Sequence, residues 1–155
     1  MVILIYFDGA CEPRNPGGLG TFGFIIRDLP GLEPVMGCGV LGDGPAMTNN
    51  VAEYAALGKA LRWLSDNARG ALAASDELVI SGDSKLVCEQ LAGKWACNAA
   101  GLKPLLARCK ELLAGLGCRW STRWMSRDEN TAADSLTRAA FVGHTGKPFP
   151  VRPKK

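Results

Sequence analysis

The stretch that decides the fold is VILIYFDGACEPRNPGG, residues 2–18. Its first six residues are apolar and rich in β-branched and aromatic types, which predicts a central strand buried on both faces. Asp8 follows directly, so we expect its carboxylate at the end of that strand and at the rim of the core. Gly9 and the Pro16-Gly17-Gly18 run allow the backbone to approach a ligand closely. Taken alone, Asp8-Gly9 is equally well explained as a turn without function.

The composition indicates one globular domain. The chain has 155 residues, of which 47% are hydrophobic and 21% charged, values typical of a soluble protein with a single sizeable core. No apolar run is long enough to span a bilayer. The opening residues lack the basic start of a signal peptide, so we expect a cytoplasmic protein.

Charge and cysteine usage narrow the possible partners and metals. The net charge is +3, but residues 119–155 hold eight Lys/Arg against three acids, which leaves −2 for the remainder. A basic third beside acidic positions fits a polyanionic partner bound around cations, although a solvated basic face is the alternative. Six cysteines without a CxxC pair argue against a zinc site, and we expect reduced thiols.

The first half of the chain predicts three strands followed by a helix. Residues 22–28 and 35–41 continue the sheet, most simply as an antiparallel meander with the first strand. A helix is predicted from Thr48 to about Asp66, with apolar residues at helical spacing. Glu53 adjoins that apolar stripe. By itself Glu53 is best explained as an early acid that complements the helix dipole.

The second half alternates helices and strands, which predicts parallel pairing. The predicted elements are a strand Leu78–Asp83, helices Ser84–Leu91 and Gly101–Leu116, a strand Cys118–Met125 and a final helix from Asn130 to about Phe141. Asp83 repeats the arrangement of Asp8, although it could simply cap the following helix. Two strand-terminal aspartates at one sheet edge favour a ligand site, because ligands gather at the carboxyl ends of parallel strands. The basic tail 142–155 is expected to be loosely held.

Four carboxylates in these settings point to metal chemistry: Asp8, Glu53, Asp83 and Asp134. They can converge only if two helices pack beside the strand ends, and their mutual repulsion then requires bound cations. Carboxylates without His or Cys select Mg²⁺ or Mn²⁺. Such clusters hold two ions about 4 Å apart and serve phosphoryl transfer.

Four segments in this order closely resemble type 1 ribonuclease H: Asp8–Gly18, Thr48–Tyr54, Gly82–Ser84 and Asn130–Leu136. The resemblance covers residues 2 to about 141. It implies a ribonuclease H-like α/β fold, a five-stranded mixed sheet of three antiparallel and two parallel strands flanked by helices. It therefore divides the chain into a catalytic domain, residues 1–141, and a basic tail, residues 142–155.

The resemblance also implies a substrate and a set of contacts. The substrate would be an RNA–DNA hybrid, whose RNA strand is hydrolysed by a monomer to 5′-phosphate and 3′-hydroxyl ends. Asp8 would touch both Mg²⁺ or Mn²⁺ ions, and the other three acids would complete their shells. The residues that match substrate-contacting positions, or lie beside the cluster, are Gly9, Asn15, Thr48, Asn49, Asn50, Ser84 and Lys85. The asparagines would meet the minor groove, where 2′-hydroxyls donate and accept hydrogen bonds.

Two departures from the family pattern qualify this interpretation. The loop before the last acid has no histidine, as in a shorter archaeal-like branch, and Arg127 is the candidate for a phosphate-facing role. A surface pairing of Arg127 with Asp128 or Glu129 explains it nearly as well. The connection at 93–100 is too short for the basic helix and loop of some relatives. The rival functions are a binder that does not cut, a nuclease of double-stranded RNA, and a resolvase or integrase core.

Overall fold

The computed structural model describes residues 1–151; Arg152, Lys154 and Lys155 of the predicted basic tail lie outside them. The sheet has the strand order β3-β2-β1-β4-β5. Its strands are β1 (Val2–Glu12), β2 (Gly17–Arg27), β3 (Val35–Gly44), β4 (Glu77–Gly82) and β5 (Arg119–Trp124). The first three pair antiparallel, whereas β4 pairs parallel with both β1 and β5. The predicted mixed sheet is confirmed.

Within residues 1–151 four helices flank the sheet, in the places where the sequence predicts them. They are α1 (Asn49–Asn67), α2 (Lys85–Leu91), α3 (Lys103–Leu116) and α4 (Thr131–Thr145), with a short 3-10 turn at Arg69–Ala71. Helix α4 runs four residues past its predicted end and stops at Gly146, whose positive φ of 69° suits glycine. Within residues 1–151 no helix combines the length and apolarity needed to cross a membrane. The division of the chain at residue 141 stays a prediction, but the expectation that the tail is loosely held is wrong for residues 142–145, because they belong to α4.

The main core lies between the sheet and α1. Ile3, Ile5 and Phe7 of β1 are completely buried in one cluster with Leu57 and Leu61 of α1. Successive strand residues point to opposite faces of a sheet. This packing places the amino-terminal half of α1 beside the middle of β1.

The prediction that β1 is buried on both faces is wrong for its first half. Leu4 and Tyr6 are only partly buried. Helix α4 approaches the sheet closely at Gly23, opposite Asp8 and beyond these two residues. The ring of Tyr6 is partly covered by the guanidinium of Arg27, 5.8 Å from the ring centroid.

The prediction that Asp8 ends its strand is also wrong. The parallel pairing of β1 with β4 stops at Phe7 opposite Gly82, but the antiparallel pairing with β2 continues to Glu12. Asp8 therefore lies inside β1, one residue beyond the end of the parallel ladder. Past that point the edge of β1 that faces β4 is open to other partners.

Candidate active site

Three of the four predicted acids meet at the place where the parallel ladder ends. Single carboxylate oxygens of Asp8, Glu53 and Asp83 all lie within 4.8 Å of one another, a spacing from which one cation can be bound. Asp8 and Glu53 are buried, with 1% and 8% of their surface exposed, and Asp83 is half-buried. Among residues 1–151 these three form the one group of His, Cys, Asp and Glu side chains with this geometry.

Glu53 reaches the cluster because α1 crosses β1 at a glycine. A β-carbon at Gly9 would lie 2.2 Å from the carbonyl carbon of Ala52, so only glycine permits this approach. The N–H of Gly9 donates to Glu53 Oε2 at 3.1 Å, using the strand edge that β4 has left open. Gly9 thus allows the helix and its carboxylate to come close, and its predicted contact with the substrate stays a prediction.

Asp83 sits directly after β4, as predicted, and does not cap the next helix. Ser84 is the capping residue of α2, since its hydroxyl accepts from the N–H of Val87 at 3.3 Å. The carbonyl of Asp83 accepts a hydrogen bond from the indole Nε1 of Trp124 at 3.1 Å. Trp124 thus ties the end of β5 to the backbone of Asp83, a contact that the sequence did not predict.

The electrostatics of the cluster favour a bound cation. Burial, and the neighbouring Asp8 and Asp83 carboxylates, raise the pKa of Glu53 well above its usual range. Glu53 also lies beyond the first turn of α1, so the explanation that it complements the helix dipole is wrong. Oxygen donors without His or Cys fit Mg²⁺ or Mn²⁺.

Asp134 stands apart from this group of three. It lies in α4, and its Oδ2 accepts from Arg138 Nε at 2.7 Å in an ion pair one turn along the helix. Helix α4 is nevertheless brought close to Asp8. Gly23, the cross-strand partner of Asp8, packs so tightly against α4 that a β-carbon there would lie 2.6 Å from the Ala133 carbonyl oxygen.

A second contact fixes the start of α4 at the residue of β1 where the parallel pairing with β4 ends. Asn130, which precedes the first residue of α4, is 2% exposed, and its Nδ2 donates to the carbonyl of Phe7 at 2.9 Å. A helix-capping asparagine normally accepts from the first turn through its side-chain oxygen, but Asn130 makes no such bond. Its sequence position alone predicted an ordinary helix start, so this contact was missed.

The predicted substrate residues of the first loop and of α1 form one network. Asn49 Oδ1 accepts from the N–H of Cys11 at 2.9 Å, and the N–H of Asn49 donates to Asn15 Oδ1 at 3.1 Å. Thr48 caps α1, its hydroxyl accepting from the N–H of Val51 at 3.1 Å. Asn15 and Asn49 are exposed, so the network holds two asparagines at the surface beside the three-acid cluster.

Three further predicted residues, Asn50, Lys85 and Arg127, lie at or just before the starts of α1, α2 and α4. Asn50 and Lys85 are exposed at the first turns of α1 and α2. Arg127 is half-buried in the loop before α4 and makes no ion pair with residues 1–151. Glu129 instead accepts from the hydroxyl of Ser126 at 3.0 Å, so the predicted surface pairing of Arg127 is not found within those residues.

Comparison with known proteins identifies the family. The chain matches the family described as reverse transcriptase-like over residues 6–140. It is 36% identical to ribonuclease HI of Halobacterium salinarum over 136 residues, which cover 88% of this chain and 62% of that protein. The crystal structure of RNase H1 from the same archaeon superposes with a TM-score of 0.76 and 33% identity, covering 92% of this chain and 99% of that one. The chain belongs to the type 1 ribonuclease H family.

A further solved structure is similar over nearly the whole chain, whereas the curated relatives are longer than this chain. LC11-RNase H1, solved in complex with an RNA/DNA hybrid, has a TM-score of 0.77 and 27% identity, and covers 92% of this chain and 98% of that one. The chain spans 62% of the length of the Halobacterium protein and 57% of the length of YpeP, an uncharacterized relative from Bacillus subtilis.

Proposed function

We propose that the protein is a metal-dependent endonuclease that hydrolyses the RNA strand of RNA–DNA hybrids, leaving 5′-phosphate and 3′-hydroxyl ends. The observation that carries this is the cluster of Asp8, Glu53 and Asp83, whose oxygens lie within 4.8 Å of one another. A buried set of like charges is costly unless a cation neutralises it. The hybrid held by LC11-RNase H1 supports the choice of substrate.

The four acids are assigned to two Mg²⁺ or Mn²⁺ ions. Asp8 is the proposed shared ligand, and Glu53, Asp83 and Asp134 complete the two shells. Ions bound there supply the positive charge that stabilises the attacking and leaving oxygens of a phosphodiester. The chain itself contributes the alignment: α1 brings Glu53 to the strand edge at Gly9. Helix α4 packs its Ala133 carbonyl against Gly23, the cross-strand partner of Asp8, and Asp134 is the next residue along that helix.

Asn15 and Asn49 are assigned to the minor groove of the hybrid. Their amide oxygens already accept backbone N–H groups, which fixes the orientation of both amides. The amide nitrogens, for which residues 1–151 show no acceptor, are thus directed outward as donors. A 2′-hydroxyl is an acceptor that DNA lacks at this position. Asn50 is assigned to the same groove and Thr48 to the DNA backbone, with Ser84 and Lys85 on the Asp83 side.

Arg127 is assigned to a phosphate. It lies half-buried in the loop that precedes α4 and has no carboxylate partner in the described part of the chain. Its guanidinium stays charged at neutral pH, so it can hold negative charge but cannot act as a base. The cytoplasmic location and the monomeric state stay predictions.

The first test compares substrates and metals directly. An end-labelled hybrid of 12–20 base pairs and the matched double-stranded RNA are each incubated with the protein and Mg²⁺, Mn²⁺ or EDTA. Metal-dependent nicking of the RNA strand of the hybrid alone is the expected result. Cutting of both duplexes would assign the broader ribonuclease instead. Binding without cutting under either metal would overturn the proposal.

A further inference from the structure

The carboxyl-terminal segment returns to α4 and contacts one of its charged residues. Gly146 ends the helix in a left-handed conformation, and the Thr145 hydroxyl accepts from the N–H of Lys147 at 3.1 Å. The chain then folds back so that the ring of Phe149 lies edge-on against Phe141, with 5.4 Å between centroids. The segment that follows α4 therefore has a defined position up to this ring.

Phe149 also lies beneath the guanidinium of Arg138. The Arg138 Cζ is 4.6 Å from the ring centroid, within the range of a cation–π interaction. The same guanidinium donates through Nε to Asp134 Oδ2 at 2.7 Å. One side chain thus joins the ring of Phe149 to the carboxylate of Asp134.

The two oxygens of Asp134 have different surroundings. Oδ2 is held by Arg138, whereas Oδ1 is buried and has no hydrogen-bond partner among residues 1–151. A buried carboxylate oxygen without a partner is costly. The pairing with Arg138 restricts the rotation of the carboxylate and leaves Oδ1 as the oxygen that remains to be satisfied.

We propose that Arg138 is a positioning residue of the metal site and that Phe149 keeps it in place. Arg138 orients Asp134 so that Oδ1 is presented to a cation, and the carboxyl-terminal segment thereby contributes to metal affinity from outside the cluster. This inference rests on the proposed function, since it takes Asp134 as a metal ligand. Residues that hydrogen-bond to metal ligands typically change metal affinity by about 10- to 100-fold when they are removed.

The test measures metal binding without substrate. The melting temperature is recorded in EDTA and in increasing Mn²⁺, because binding to the folded state raises it. The half-saturating Mn²⁺ concentration is then compared among variants. Arg138→Ala is expected to raise it about tenfold. Phe149→Leu, which keeps apolar packing but removes the aromatic face, is expected to raise it roughly two- to fivefold.

Matched variants separate positioning from general stability. Phe149→Trp keeps an aromatic face, so its half-saturating Mn²⁺ concentration should equal that of the wild-type protein. Arg62→Ala removes another ion pair between residues four apart in a helix, the one with Asp66. It should leave the half-saturating Mn²⁺ concentration unchanged. Arg138→Lys keeps the charge and should fall between wild type and Arg138→Ala.

The outcomes distinguish this inference from the proposed function. If Asp134→Asn weakens Mn²⁺ binding but Arg138→Ala and Phe149→Leu do not, the positioning role is wrong and the metal site stands. Tighter Mn²⁺ binding by Arg138→Ala would also overturn it, since Arg138 would then compete with the cation. If wild-type protein shows no rise in melting temperature with Mn²⁺, the proposed metal site itself fails.

Discussion

The two halves of the candidate site are held in opposite electrostatic states. Asp8, Glu53 and Asp83 are supplied by two strands and α1 and lie against one another, and burial together with the two aspartates raises the pKa of Glu53. Asp134 is supplied by α4 and is paired with the guanidinium of Arg138 at 2.7 Å. One half therefore concentrates like charge, whereas the other already holds a cationic partner.

This difference separates what the metal must supply from what the chain supplies. In the three-acid half, backbone contacts such as Gly9 N–H to Glu53 fix the geometry. In the α4 half, Asn130 and Arg138 position the helix and the carboxylate. Neutralising an acid in one half should therefore change metal-free stability in the opposite direction from neutralising an acid in the other.

The largest expected effect is that of Asp83→Asn. It removes a proposed metal ligand, so cleavage of the hybrid should fall at least about a thousandfold, equivalent to about 4 kcal/mol of transition-state stabilisation. It also removes one charge from a repelling cluster, so the melting temperature in EDTA should rise by about 2 °C or more. Activity and thermal unfolding are measured on the same preparation.

Asp134→Asn is the matched control, because it neutralises an acid in the half of the site that already holds a cationic partner. It should lower cleavage as well, but the melting temperature in EDTA should fall slightly, because the ion pair with Arg138 is lost. If both substitutions raised the melting temperature, Asp134 would belong electrostatically to the cluster. Near-normal turnover by Asp83→Asn would refute the metal assignment.

The second prediction concerns the crossing of α1 over β1. Gly9→Ala places a methyl group 2.2 Å from the Ala52 carbonyl carbon, so α1 must shift, at a cost of about 1–3 kcal/mol in the free energy of unfolding. Glu53 moves with the helix, and cleavage should fall in parallel. Urea denaturation and the hybrid assay measure the two effects.

Gly58→Ala is the control within the same helix. Nothing lies within 4 Å of the added methyl group at Gly58, so this variant should be more stable by about 0.5–1 kcal/mol, because alanine is the better helix former. Equal stability of Gly9→Ala and wild type would show that α1 does not need its close approach at Gly9.

The sequence was sufficient for the sheet, the helices and the clustering of Asp8, Glu53 and Asp83. Local patterns carry that information, since apolar runs followed directly by acids and a helix with an apolar stripe are recognisable from neighbouring residues. The length of β1 was missed because its last residues are held by pairing with β2, which is a tertiary property. The contact of Asn130 with Phe7 joins residues 123 positions apart, and no local pattern indicates it.

The smallest expected effect comes from the contact that holds the start of α4, and it is compared with a contact farther along the same helix. Asn130→Ala removes the donor to the Phe7 carbonyl, a buried bond whose loss should cost about 1–3 kcal/mol, and the resulting shift of α4 should reduce cleavage about fivefold through Asp134. Thr137→Val is the control: it removes the buried 2.6 Å hydrogen bond to Thr21 farther along α4 and should lower stability while cleavage per folded molecule stays at the wild-type level. Urea titration and the hybrid assay compare the pair. If Thr137→Val lost as much turnover as Asn130→Ala, the start of α4 would have no special role. The position of Asp134 would then depend only on how the whole helix packs on the sheet.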